Sequence, residues 1–310
     1  MGLFKRQGQF KMTAQYRVAT PKTSLIIATY EQPEFLRLAI LSALEQTRLP
    51  DEIVIADDGS RNSTADAVRE MKKISPVPLI HTWLPDEGFR VMLARNNAAA
   101  ASTGEYLIFL DGDCYLHPFF IADHLSFAEP NRWVCGTRVN IKAKRKEYIL
   151  RTGDRRITFF SWGTSKKFHA VRSRLLAILR EKKGGGMASA NFAVWRSDFE
   201  KVNGFNERFA GYCGEDYELA CRLEDIGVPM KKMVHLGIAY HFDHPRRDNI
   251  RWEDGTGRVG MLMQQVRSEE KGRAKNWFEQ GVGRRIYNYR CRKSIDLRGI
   301  NGFVQTSVYP

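Results

Sequence analysis

Long hydrophobic runs are missing from this chain. No stretch approaches the roughly 20 apolar residues of a membrane-spanning helix. Residues 1–17 are polar and basic, without the apolar centre of a secretory leader. Cysteine is scarce as well. Cys114, Cys135, Cys213, Cys221 and Cys291 form an odd set with no CxxC pair. That argues against a disulfide framework or a zinc site and fits a reducing cytosol. The run Gly184-Gly185-Gly186 lacks the Gly-Lys-Ser/Thr ending of a phosphate loop and reads as a hinge for a lid. No His-Glu-x-x-His pattern marks a hydrolytic zinc centre, and no internal repeat is visible.

Positive charge is in excess. The 310 residues carry 49 Lys and Arg against 35 Asp and Glu, a formal charge of +14. An anionic partner is expected: nucleic acid, a membrane surface or a phosphorylated substrate. The excess concentrates between Arg138 and Lys183 and again from Arg267 to Arg298. A solvated basic face is the plainer alternative. The apolar content, 43%, supports a sizeable core in one large domain or two fused halves.

Strand and helix patterns alternate through the first half. Ser24–Thr29 predicts a buried strand, Pro33 a helix start, Ile53–Ala56 a second strand, and Thr64–Lys73 a helix. Leu79–Thr82 predicts a third strand, Met92–Ala101 an Ala-rich helix, and Tyr106–Leu110 a fourth strand. That order predicts an α/β fold with a mostly parallel sheet covered on both faces. Beyond it, His117–Ala128 predicts a helix, Trp133–Gly136 and Ser189–Val194 strands, Asp198–Val202 and Tyr217–Asp225 helices, and Val234–Tyr240 a strand. The expected organisation is a basic arm (1–21), a nucleotide-sugar half (22–137), and a basic insertion or lid (138–186). A catalytic and acceptor half (187–250) and a basic extension (251–310) follow.

Ligands of such sheets bind beyond the carboxyl ends of the strands. Thr29-Tyr30, Asp57-Asp58 and Asp111-Gly112-Asp113 all fall there. Side chains at i and i+2 of an extended segment share a side, so Asp111 and Asp113 can face one hard cation, Mg²⁺ or Mn²⁺, that bridges to a diphosphate. An Asp-Gly turn is the structural alternative. Asp57 or Asp58 can accept a hydrogen bond from a nucleobase or ribose, with Tyr30 stacked on the base; either can equally be a turn cap. Arg95 and Asn96 can reach a diphosphate or ribose. Asp216, at a helix start that favours an ionised carboxylate, suits a general base; an N-cap is the alternative. His241 or His244 can complete the metal site, or be loop histidines.

These residues resemble a known family. Thr23–Tyr30, Asp57–Ser60, Ala94–Asn96 and Gly104–Asp113 are similar to the nucleotide-sugar half of family 2 inverting glycosyltransferases of GT-A fold. Gly185–Ala190, Val202–Asn206, Gly211–Asp216 and Arg222-Leu223 resemble the carboxyl-terminal domain of β-1,4-galactosyltransferases and bacterial chondroitin-polymerase-like enzymes. The resemblance implies a metal-dependent transfer of a hexose or N-acetylhexosamine from a nucleotide diphosphate sugar, UDP-linked, to a sugar hydroxyl. Thr29, Tyr30, Glu31, Asp57, Asp58, Arg95 and Tyr212 would line the donor. Asp111 would touch both ribose and metal, and Asp113 and His241 would complete the metal site. Asp216 would be the base, and Glu215 would hold a sugar hydroxyl. Tyr212 stands where the galactosyltransferases usually carry Trp, which leaves the sugar open. The expected acceptor is a cell-envelope glycan or glycolipid such as a polysaccharide or lipopolysaccharide. The expected location is cytoplasmic, peripheral on the anionic membrane face. A nucleotidyltransferase of similar fold and a non-enzymatic basic nucleic-acid or membrane binder are the competing classes. The first lacks its Gly-rich loop at Thr29–Pro33. The second leaves the strand-end carboxylates, which would repel a phosphate backbone, unexplained.

Overall fold

The computed structural model describes residues 20–180, 182–183, 190–207 and 215–243. Its first half alternates as the pattern dictates: β1 (Thr23–Thr29), α1 (Pro33–Leu44), β2 (Glu52–Asp57), α2 (Asn62–Ile74), β3 (Leu79–Trp83), α3 (Val91–Ala101) and β4 (Tyr106–Asp111). Then come β5 (Cys114–Leu116), α4 (Phe120–Phe127), β6 (Trp133–Cys135), β7 (Thr137–Ile141), α5 (Ala143–Thr152) and α6 (Arg174–Leu179). The remainder is β8 (Lys182–Lys183), β9 (Asn191–Trp195), α7 (Arg196–Lys201), α8 (Glu215–Asp225), β10 (Met230–Lys232) and β11 (Ile238–Phe242).

The large sheet runs β3-β2-β1-β4-β9-β6-β10-β8. β1 is parallel to both β2 and β4, and β2 to β3, while β9 inserts antiparallel between β4 and β6. The alternation of side chains along a strand builds two cores. Ile26, Ala28, Val54 and Ala56 pack with residues of α3, α7 and α8 on one face. Leu25, Ile27, Ile53 and Ile55 pack with residues of α1, α2 and α4 on the other. Each large apolar side chain buried this way contributes about 1.5–3 kcal/mol. With both faces covered, the strands read as continuous apolar runs.

A second sheet, β5-β11-β7, lies beside the first. The strand expected over Val234–Tyr240 starts later: residues 234–237, with His235 (φ 67°) and Gly237 (φ 53°), turn the chain from β10 in the large sheet, and only Ile238–Phe242 is extended, as β11 of the small one. Residues 138–141, expected to open a separate insertion, instead form most of β7 and pair along β11. Tyr240, Phe242, Val139, Ile141 and Tyr115 share one buried face under Ile149 of α5. Gly227, with φ 79°, ends α8 as its position suggests.

Candidate active site

The carboxyl ends of β1, β2 and β4 lie side by side because Thr29 is in register with Asp57 and Ala28 with Asp111. Gly112 turns the chain there. Its N–H donates to the Ala28 carbonyl at 2.6 Å, and a Cβ at this position would lie 2.6 Å from the same oxygen. Only glycine permits that approach, and it leads β4 directly into β5. β11 then pairs antiparallel with β5, placing His241 opposite Cys114. As a result His241 Nε2 stands 3.4 Å from Asp113 Oδ2, and the Phe242 N–H donates to the Asp113 carbonyl at 3.0 Å. Both side chains are buried.

Asp111 is engaged differently. Arg95, from the middle of α3, donates Nη2 to its Oδ1 at 2.7 Å. The guanidinium is almost wholly buried and rests 5.3 Å from the Phe205 ring centre. Its Nε and Nη1 have no hydrogen-bond partner among the described residues. Burial pushes the Asp111 carboxyl above its usual range; Arg95 opposes this, Asp113 and Asp216 reinforce it, and His241 opposes it. Asp216, on the first turn of α8, is thus close enough to Asp111 for their charges to interact. Of the expected residues, Asp113 and His241 face each other, and Asp111 lies near enough to Asp113, Asp216 and His241 for their charges to act on it, with Arg95 as its buried counter-charge.

The expected three-residue metal set is not closed. Among the described residues no three His, Cys, Asp or Glu side chains converge on a single point, and Asp111 is paired with Arg95. Asp113 and His241 form a facing carboxylate–imidazole pair. Two such donors would suit a divalent cation.

Asp58 presents the other open group. Its N–H donates to the Thr29 carbonyl at 3.0 Å, and its Oδ2 accepts from the Arg90 N–H at 2.9 Å. Its Oδ1 and the neighbouring Thr29 Oγ1 are buried with no hydrogen-bond partner among the described residues. Burial raises the Asp58 carboxyl from 3.8 to about 6, against the lowering effect of Arg90. A buried acceptor left without a donor is costly, and it fits an incoming N–H or hydroxyl.

Three expected donor residues are committed within the protein. Asp57 accepts from the Ser60 N–H at 2.8 Å and pairs with His81 Nε2 at 2.9 Å, so both oxygens are spent and it orders the turn. Glu31 (φ 53°) holds the Arg61 backbone and guanidinium, which keeps its carboxyl below the usual range. Asn96 clamps Phe205, accepting its N–H and donating to its carbonyl, both at 2.9 Å, and also donates to Glu207, so it does not face a ligand. Tyr30 remains at the rim, its hydroxyl donating to Asp86 at 3.0 Å. Tyr212, the Glu215 side chain, the glycine hinge at 184–186, His244, residues 1–19 of the basic arm and the whole basic extension 251–310 lie outside the described residues.

Asn140 and Arg138 were not expected here. Register places Asn140 beside His241 on the face opposite Tyr240, and Asn140 Oδ1 is buried without a hydrogen-bond partner among the described residues. Arg138 lies two positions earlier on that face, near enough to Cys114 to act on its thiol. The alternation of residues 137–141 (Thr-Arg-Val-Asn-Ile) was the available signal, but no local pattern identified its partner strand.

Comparison with known proteins places this geometry. The family model described as glycosyl transferase family 2 matches residues 24–202. One described as the N-terminal domain of galactosyltransferase matches residues 180–245. Validoxylamine A glucosyltransferase of Streptomyces hygroscopicus subsp. limoneus is 28% identical over 229 residues, 68% of this chain and 49% of that protein. Chondroitin synthase of Escherichia coli is 22% identical over 250 residues, 73% of this chain and 35% of the other. The chain thus spans half or less of the length of these relatives. A crystal structure of GalNAc-T7 with UDP, GalNAc and Mn²⁺ superposes with a TM-score of 0.56 at 17% identity, covering 74% of this chain and 45% of that one. That likeness is one of fold, the GT-A arrangement.

Proposed function

The chain belongs to glycosyl transferase family 2, and from that premise we propose a metal-dependent, inverting transfer of a hexose or N-acetylhexosamine. The donor is a nucleotide diphosphate sugar, UDP-linked, and the acceptor is a hydroxyl of a cell-envelope glycan or glycolipid. The facing pair Asp113 and His241 beside Asp111, which Arg95 holds and the charge of Asp216 on α8 reaches, carries the reading. The UDP, Mn²⁺ and GalNAc named for the GalNAc-T7 structure support the donor and metal, and the relatives' names support a glycan acceptor.

Thr29 and Asp58 bind the base or ribose through their open oxygens, with Tyr30 at the rim. The unspent Nε and Nη1 of Arg95 meet diphosphate oxygens while Nη2 holds Asp111. Asp113 and His241 would hold the cation, which would neutralise charge on the diphosphate when bound. Asp216 takes the proton from the acceptor hydroxyl as that oxygen bonds to the anomeric carbon. The carbon–oxygen bond to the diphosphate breaks on the opposite side, and its electron pair leaves with the nucleotide. The overall charge of +14 supports peripheral contact with an anionic membrane on its cytoplasmic face.

A thermal-shift panel of nucleotide sugars with and without Mn²⁺, followed by transfer to oligosaccharide acceptors, tests this. A UDP-sugar shift that depends on Mn²⁺ is the expected result. Pyrophosphate release from a nucleoside triphosphate, with no sugar transfer, overturns it.

A further inference from the structure

α6 turns most of its apolar side chains outward. Leu175, Ile178 and Leu179 are 67%, 68% and 71% exposed, while Ala177 packs inward with Val134, Met233 and Leu236. Phe168, in the short turn before it, is 44% exposed with the Arg180 guanidinium 4.8 Å from its ring centre. Phe159, Phe160 and Trp162 stand exposed on the same stretch of chain. Apolar side chains grouped in water mark a surface that something covers.

Charge identifies what covers it. From Arg155 to Arg180 there is no Asp or Glu. Arg155, Arg156 and Arg172 are spent on Glu45, Asp154 and Asp123. Lys166, Lys167, Arg174 and Arg180 form no ion pair among the described residues. They lie on the same stretch of chain as the apolar group: Lys166 and Lys167 directly precede Phe168, Arg174 and Arg180 bound Leu175–Leu179, and the Arg180 guanidinium stands over Phe168. A second copy of this chain would set cation against cation. The basic stretch from Arg267 to Arg298 would be repelled in the same way. An apolar group on a stretch that carries unpaired cations and no acidic residue is instead complementary to an anionic bilayer. No described helix is long and apolar enough to cross one, so the contact is interfacial.

We infer that α6 and Phe168 form a membrane-docking surface. Leu175, Ile178 and Leu179 enter the boundary between headgroups and acyl chains, and Lys166, Lys167, Arg174 and Arg180 meet lipid phosphates. This deepens the envelope-glycan reading but is measured without sugar transfer, so either can fail alone.

The test is sedimentation of the full chain with phosphatidylcholine vesicles, with and without phosphatidylglycerol. Binding is expected only with the anionic lipid, falling with salt. Leu175→Ser/Ile178→Ser/Leu179→Ser and, separately, Lys166→Gln/Lys167→Gln/Arg174→Gln/Arg180→Gln should each weaken it roughly tenfold or more. Transfer to a soluble acceptor and the melting temperature should stay at wild-type values in both variants. Absence of vesicle binding, binding indifferent to the serine variant, or a dimer that this variant dissociates would overturn the proposal.

Discussion

Arg95 Nη2 donates to Asp111 Oδ1 across 2.7 Å, and this pair sets the electrostatics of the site. Without it, Asp111 is left near Asp113 and Asp216 with no guanidinium to offset them. Losing one partner of a fully buried pair costs about 3–5 kcal/mol. The Asp111 side chain is 30% exposed, so Arg95→Ala should cost about 1–3 kcal/mol. Urea denaturation measures it. An unchanged midpoint would mean that water, not Arg95, compensates Asp111.

Asp113→Ala and His241→Ala should each weaken Mn²⁺-dependent UDP binding by roughly tenfold or more, read by calorimetry. Chelation with EDTA should abolish wild-type transfer. Undiminished affinity in His241→Ala would remove that imidazole from the metal site.

Asp216→Asn should retain UDP binding while turnover falls by about 10²–10⁴. The split between affinity and turnover is the diagnostic. Near-normal turnover would take Asp216 out of the base role.

Asp58 gives a pH signature. Burial holds its carboxyl near 6 in the folded protein, against 3.8 ordinarily. Between those values the unfolded chain has released a proton that the folded one keeps, so stability falls as pH rises. Asp58→Asn has no such titration. Its melting temperature should therefore gain on wild type from pH 4 to 6, with the gap level above that range. Nucleotide affinity should move the other way, because the amide N–H₂ replaces the open acceptor while its oxygen keeps the Arg90 N–H. A gap that stays flat with pH would show that Asp58 ionises without penalty.

Gly112→Ala would set a Cβ 2.6 Å from the Ala28 carbonyl. The strand end must shift, at about 1–3 kcal/mol, and Asp111 and Asp113 move with it. A crystal structure and denaturation midpoint indistinguishable from wild type would contradict the close approach.

The alternation of β1 to β4 with their helices was legible because buried parallel strands need continuous apolar runs and amphipathic helices repeat every turn. Strand-end polar clusters were legible for the same reason: the runs stop where the ligand side begins. Asp57 and Asp58 could not be told apart, since both follow the same strand. Only His81, supplied by β3, shows that Asp57 is spent. Asn96 and Arg95 are neighbours on one helix, and only Phe205 and Glu207, over a hundred residues away, distinguish them by engaging Asn96.

Local composition thus determined the α/β layering, the placing of carboxylates at strand ends and the basic balance, all of which depend on near neighbours in the chain. Tertiary structure alone decided that His241 faces Asp113, that β7 brings Asn140 beside it, and that Arg95 draws Asp111 aside. Those pairings join distant segments through strand register and buried charge, which no short stretch of residues encodes.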